Sequence, residues 1–147
     1  MADGPTEPFV LDILSSEEDQ GDLKAGITAI LNENNEKLGF KWRPQPLVLY
    51  VKDASGAVLA GLTGSTNWGW LHVDLLAVQA PWRGTGVGAR LLARAEEMAL
   101  ERGCRHAYLD TFSFQALGFY EKQGYAVYGQ LENFPTGASR YFLKKTL

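Results

Sequence analysis

With one cysteine, Cys104, in 147 residues, the chain has no internal disulfide, and this composition suits a reducing compartment. No apolar run is long enough to cross a bilayer, and no charged start leads into an apolar signal core. The expectation is a soluble, cytoplasmic protein with no membrane partner. An excess of basic residues is missing too: 14 lysines and arginines face 17 aspartates and glutamates, a net charge of -3. A nucleic-acid binder carries a basic patch or stripe, so no nucleic-acid partner is expected, nor is a metal. Repeats, linkers and low-complexity segments are absent. What the chain does have is 46% hydrophobic residues, enough to fill the core of one ordinary domain. Residues 1–8 read as a loose terminus and 9–147 as that single domain.

Phe9 to Leu14 reads as a first strand. Ser15-Ser16-Glu17-Glu18 has the spacing of a capping box, and Leu23, Ile27, Ile30 and Leu38 then recur at helical spacing, as one helix or as two divided near Asn34-Asn35, with an end by Gly39. Leu47 to Val51 and Val58 to Leu62 flank the turn-rich Asp53-Ala54-Ser55-Gly56, the pattern of an antiparallel hairpin. Trp68 to Val78 extends the meander, placing Trp70, His72 and Asp74 on one face and Leu71, Val73 and Leu75 on the other. A helix follows, with Leu91, Ala95, Met98 and Ala99 on one side, and Gly103 stops it. It crosses over to Ala107 to Thr111, which is therefore parallel to the Trp68 to Val78 strand. A short helix from about Phe114 to Lys122 and two strands, Tyr125 to Leu131 and Arg140 to Leu143, complete the chain.

The stretch Arg83-Gly84-Thr85-Gly86-Val87-Gly88-Ala89 joins an apolar strand to a helix. Glycines let backbone approach a ligand, and the first amides of a helix point outward at the positive end of its dipole, so this reads as a site for an anionic, phosphate-bearing cofactor. Gly84 to Ala89 also satisfies the dinucleotide fingerprint, with Asp110 at the end of the next strand, so a nicotinamide cofactor and an oxidoreductase form one reading. That fingerprint should open a doubly wound half, whereas a mostly antiparallel region precedes it here. A Walker A loop is excluded because no Gly-Lys-Ser/Thr follows.

The order of elements resembles the GNAT N-acetyltransferase superfamily over nearly the whole chain. Arg83, Gly86 and Gly88 match its (Arg/Gln)-x-x-Gly-x-(Gly/Ala) acetyl-CoA motif, and Ala116 to Tyr125 is similar to its Ala-x-x-x-Tyr-x-x-x-Gly-(Phe/Tyr) segment. The resemblance implies an α/β fold (α+β by some schemes): a mixed, mostly antiparallel twisted sheet with one central parallel βαβ pair and flanking helices. It implies acetyl-CoA as co-substrate, with the amides of Arg83 to Ala89 on the pyrophosphate and the backbone of Leu76, Ala77 and Val78 along the pantetheine arm. A β-bulge and splayed parallel strands belong to the same pattern. Many members have asparagine three residues before the motif alanine; this chain has Ser113, which offers a cofactor fewer hydrogen bonds.

By the same resemblance Tyr120 protonates the departing thiolate. For the general base the strand face of Trp70 offers Asp74, then His72, both near the expected thioester end. The acceptor is expected to be the primary amine of a small molecule. Trp42, Trp68, Trp70 and Phe134 either line its pocket or pack in the core. Dimers are frequent in the family, and the terminal strands could form such an interface. The rival reading is a non-catalytic acyl-CoA-binding module or sensor. Cys104, with no evident base partner, reads as a small core residue.

Overall fold

The computed structural model describes residues 12–18 and 20–147. They fall into two units, one up to Lys41 and one from Trp42 to Leu147.

The first unit carries one helix, α1 (Gly21–Lys37), which runs unbroken through Asn34-Asn35 and ends before Gly39 at φ +87°. Of the strand expected at Phe9 to Leu14, Phe9 to Leu11 lie outside the described residues, and Asp12 to Leu14 carry no regular structure. The expected capping box does not cap this helix: Gln20 is the N-cap residue and makes no side-chain capping bond. The Ser16 hydroxyl is spent locally, accepting from the Glu18 amide at 3.3 Å and the Gln20 side chain at 3.0 Å. Such turns compete with capping for serine. Leu23, Ile27 and Ile30 are exposed, since the described part of this unit holds no second regular element to bury them.

The second unit is built on a six-stranded sheet: β1 (Gln45–Lys52), β2 (Val58–Asn67), β3 (Trp70–Val78), β4 (His106–Phe112), β5 (Ala126–Glu132) and β6 (Ser139–Thr146). The spatial order is β1-β2-β3-β4-β6-β5, and β3–β4 is the parallel pair among antiparallel ones. This is the mixed sheet expected from the sequence. The β1–β2 hairpin turns where Asp53 Oδ1 accepts from the amides of Ser55 at 2.8 Å and Ala57 at 3.0 Å. Between β2 and β3, Trp68 and Gly69 take φ of 51° and 80°. A two-residue hairpin requires that conformation, so β3 begins at Trp70 rather than Trp68.

Helix α2 (Val87–Glu101) crosses from β3 to β4 and buries Leu91, Leu92, Ala95 and Ala99. They join Leu47, Leu62, Leu71, Val73, Leu109 and Leu143 of the strands in one core. Beyond its end the Arg102 guanidinium donates to the carbonyls of Gln45 and Pro46 and to the Thr66 hydroxyl, at 3.1 to 3.2 Å. Lys145 on β6 pairs with Glu96 on α2 at 2.8 Å. The short helix α3 (Leu117–Lys122) starts later than the sequence pattern indicates, because residues 113–116 form a turn.

Candidate active site

Three register pairs hold β3 to β4: Trp70 with His106, Leu71 with Ala107 and His72 with Tyr108. Beyond them the pairing stops. On its other side β3 stays paired with β2 but carries an extra residue. Leu75 opposes Thr63 and Val73 opposes Gly64, which leaves Asp74 as the bulge. A bulge bends its strand and raises the local twist. It also reverses which residues face inward, and this corrects the alternation expected from the sequence. Leu71 and Val73 are buried, whereas Leu75, expected beside them, is 63% exposed and Leu76 packs on the core instead.

Gly64 makes this arrangement feasible. A Cβ there would fall on the His72 carbonyl oxygen, a backbone atom that can yield only if β2 and β3 separate. Gly64→Ala is expected to lower stability by about 1–3 kcal/mol, the usual cost of overpacking, read as a fall in the urea midpoint. An unchanged midpoint would mean that the two strands pair more loosely at the bulge.

Where β3 and β4 part, a cleft of about 840 Å³ opens. Of the residues singled out from sequence, Asp74, Leu76, Ala77, Val78, Arg83, Gly84, Gly86, Val87, Gly88, Ala89 and Tyr120 line it. Thr85, His72 and Ser113 are not among the lining residues. The Thr85 hydroxyl donates to the Trp82 carbonyl at 2.5 Å and so shapes the loop from within. The His72 ring stacks on Tyr108 with centroids 4.6 Å apart. Ser113 is tied to the start of β6: its amide donates to the Ser139 carbonyl at 2.9 Å, and its hydroxyl accepts from the Ser139 amide at 3.0 Å. Trp42 packs edge-on against Trp68 and Trp70 stacks on His106, so none of these three tryptophans lines the cleft.

Gly84 and Gly86 take φ of +77° and +85°, and nothing lies within 4 Å of where a Cβ on either would project. Gly88 sits in regular helix, where a Cβ would make ordinary contact with Val78 and Phe119, so its role is not conformational. Gly86 is the N-cap of α2 and supplies no side chain to cap it, and the first helical bond runs from Arg90 back to Gly86. The amides of the first turn are therefore available to an anion. Arg83 Nε donates to the Val78 carbonyl at 3.0 Å, which fastens the loop to the end of β3.

Tyr120, which also lines the cleft, is buried to 6% exposure, its ring edge-on to Phe119 and Tyr125. Burial pushes its phenol pKa up, and the Asp110 carboxylate adds in the same direction. Asp110 itself accepts from Arg140 Nε at 2.8 Å. Burial also raises the Cys104 thiol, leaving it a core residue as expected.

A model of the Acetyltransferase (GNAT) family matches residues 11–125, a span that includes the splayed strands, the glycine loop and Tyr120. The chain belongs to the GNAT acetyltransferase family. Over 107 residues this GNAT chain is 43% identical to the blasticidin-S acetyltransferase of Streptomyces morookaense, covering 70% of this chain and 79% of that one. A solved acetyltransferase from Bacillus cereus superposes with a TM-score of 0.80 at 35% identity, over 91% of this chain and 98% of that one. A Bacillus anthracis structure determined in complex with acetyl coenzyme A shares the fold, with a TM-score of 0.62 at 21% identity, over 71% and 64% of the two chains.

As a GNAT transferase the chain is an enzyme, which sets aside the non-catalytic binding module. The fold likewise sets aside the nicotinamide reading. Among the described residues the sheet has a single parallel pair, and Asp110, which that reading would place on a ribose, is paired with Arg140. Among the described residues no helix is long and apolar enough to cross a membrane. Sequence reasoning missed Trp82, Thr111, Phe114, Gln115, Phe119 and Gln123, which also line the cleft. The available signal was proximity: all but Thr111 lie in or just beside the two family motifs.

Proposed function

We propose that this GNAT enzyme moves an acetyl group from acetyl-CoA to the amine of a small molecule, by direct attack with both substrates bound. The observation that carries the reading is the polarity of the cleft along β3. Asp74 and Val78 are about 13 Å apart at the usual strand rise, so the carboxylate and the cationic loop beyond Val78 mark opposite ends. One end suits a pyrophosphate and the other an ammonium group.

The residues present fit acetyl-CoA. The open glycine backbone, the uncapped amides of α2 and Arg83 would receive the phosphates. Beyond His72, β3 has no register pair with β4, so the backbone from Leu76 to Val78 would pair with the pantetheine arm as an added strand does. Once bound, acetyl-CoA supplies an activated acyl group as a thioester. The amide of Leu75 or Leu76, just past the bulge, is the candidate donor to the thioester oxygen as it gains charge, an effect typically worth about 3–4 kcal/mol. Asp74 takes the amine proton, directly or through water, and Tyr120 gives one to the thiolate.

Thermal unfolding tests the cofactor. Coenzyme A at about a hundred times its dissociation constant is expected to add about 2.7 kcal/mol of stability, and NAD at the same concentration to leave the melting temperature in place. An equal response to both, or none to coenzyme A, would overturn the proposal. An amine panel assayed by thiol release then tests the small-molecule acceptor.

A further inference from the structure

The wall of the cleft on the β4 side continues into a cluster of rings. Asp110 and Phe112 alternate along β4 and share one face. The Phe112 ring stacks with Phe114 at 5.3 Å and with Phe134 at 5.8 Å, the planes within 17° and 19° of parallel. Arg140 lies opposite Phe112 in the β4–β6 register. Its guanidinium sits 5.6, 5.2 and 5.1 Å from the ring centroids of Phe112, Phe134 and Phe142, while its Nε holds Asp110 at 2.8 Å. Asp110 and Phe114 both line the cleft, so this platform is continuous with it. Its outer rings, Phe114 and Phe134, are 63% and 43% exposed.

The charges of the cleft divide in a way that matters for what binds there. Two carboxylates line it, Asp74 and Asp110. Arg140 compensates Asp110, whereas Asp74 is exposed and has no ion pair among the described residues. A cationic amine therefore finds its counter-charge at Asp74, and a flat apolar body attached to it finds the π-face of Phe114, which lines the same cleft. We infer that the acceptor is an amine carried on a planar aromatic group that stacks on the platform of Phe114, Phe112, Phe134 and Arg140. This inference rests on the acetyl transfer proposed above.

The test compares kcat/KM for 2-phenylethylamine, n-butylamine and β-alanine at saturating acetyl-CoA, in the unmodified protein and in Phe134→Ala, Phe134→Leu and Phe134→Tyr. The arylamine is expected to exceed the alkylamine by about tenfold, equivalent to ~1.4 kcal/mol and on the scale of one aromatic pair. Phe134→Ala and Phe134→Leu should each bring that ratio close to one, and Phe134→Tyr, which keeps a ring, should retain it. Leucine keeps most of the apolar volume, so it separates stacking from bulk should the alanine variant fail to fold. The melting temperature and its rise with coenzyme A serve as the fold control. A ratio near one in the unmodified protein, or a ratio that survives loss of the ring, would overturn the inference. Preference for β-alanine would do so as well, making Arg140 a carboxylate anchor. Thiol release with none of the three amines while coenzyme A still raises the melting temperature overturns the aromatic acceptor alone. No response to coenzyme A overturns the proposed function with it.

Discussion

Tyr120→Phe is expected to lower kcat by about 100-fold and to leave coenzyme A affinity close to that of the unmodified protein, since a positioned general acid typically contributes 10²–10⁴-fold. The substitution removes one oxygen and keeps the ring that packs edge-on against Phe119 and Tyr125, so the melting temperature should hold. A purely structural role would move the melting temperature rather than kcat. Burial and the Asp110 carboxylate both push the phenol above its ordinary value of 10. A raised pKa favours the form that carries the proton, so the acid stays loaded through neutral pH. Its loss is shifted to higher pH than for a free phenol, and Tyr120 should contribute no basic limb to kcat near neutral pH. A raised pKa also makes a weaker acid, but the same burial disfavours the charged thiolate that receives the proton. Unaltered turnover of the phenylalanine variant across the pH range would remove Tyr120 from the mechanism.

The parts of this fold that were legible in the sequence are those set by local chemistry. The Asp53 to Gly56 turn, the amphipathic stripe of α2 and the glycine loop each depend on residues a few positions apart. The crossover helix then made β3 and β4 parallel, because connections of that length go one way. The bulge was legible only as a family expectation. A strict period of two placed Leu75 with Leu71 and Val73, and one inserted residue at Asp74 reverses every side chain after it. Position 113 shows a second limit. Counting from the motif alanine finds Ser113, but its backbone and hydroxyl are committed to Ser139, a partner 26 positions away in sequence. The pairing of Asp110 with Arg140 and the stack of Phe112 on Phe134 are invisible for the same reason, being fixed by the β4–β6 register and the loop before β6.

Asp74→Asn is expected to lower kcat/KM by about 100-fold, whereas His72→Ala should cost less than tenfold. Both residues are candidates as neighbours on one strand face, Asp74 ahead of His72, and the bulge separates them. His72 lies in the last register pair between β3 and β4, its ring stacked on Tyr108 at an interplanar angle of 20°. Asp74 is the unpaired bulge residue, is exposed and lines the cleft. Asparagine preserves the shape and one acceptor oxygen but removes both the charge and the capacity to take a proton. The two roles proposed for Asp74 then fall on different constants: loss of the base lowers kcat, and loss of the counter-charge for an incoming ammonium raises KM. Raising ionic strength weakens long-range attraction to an exposed charge, so the KM part should shrink in high salt while the kcat part persists. A variant with unchanged kcat and a raised KM would make Asp74 an anchor and give proton removal to water. If His72→Ala lowered kcat as far as Asp74→Asn, the base would be His72, and its stacking on Tyr108 would then position a catalytic imidazole rather than pack a strand face.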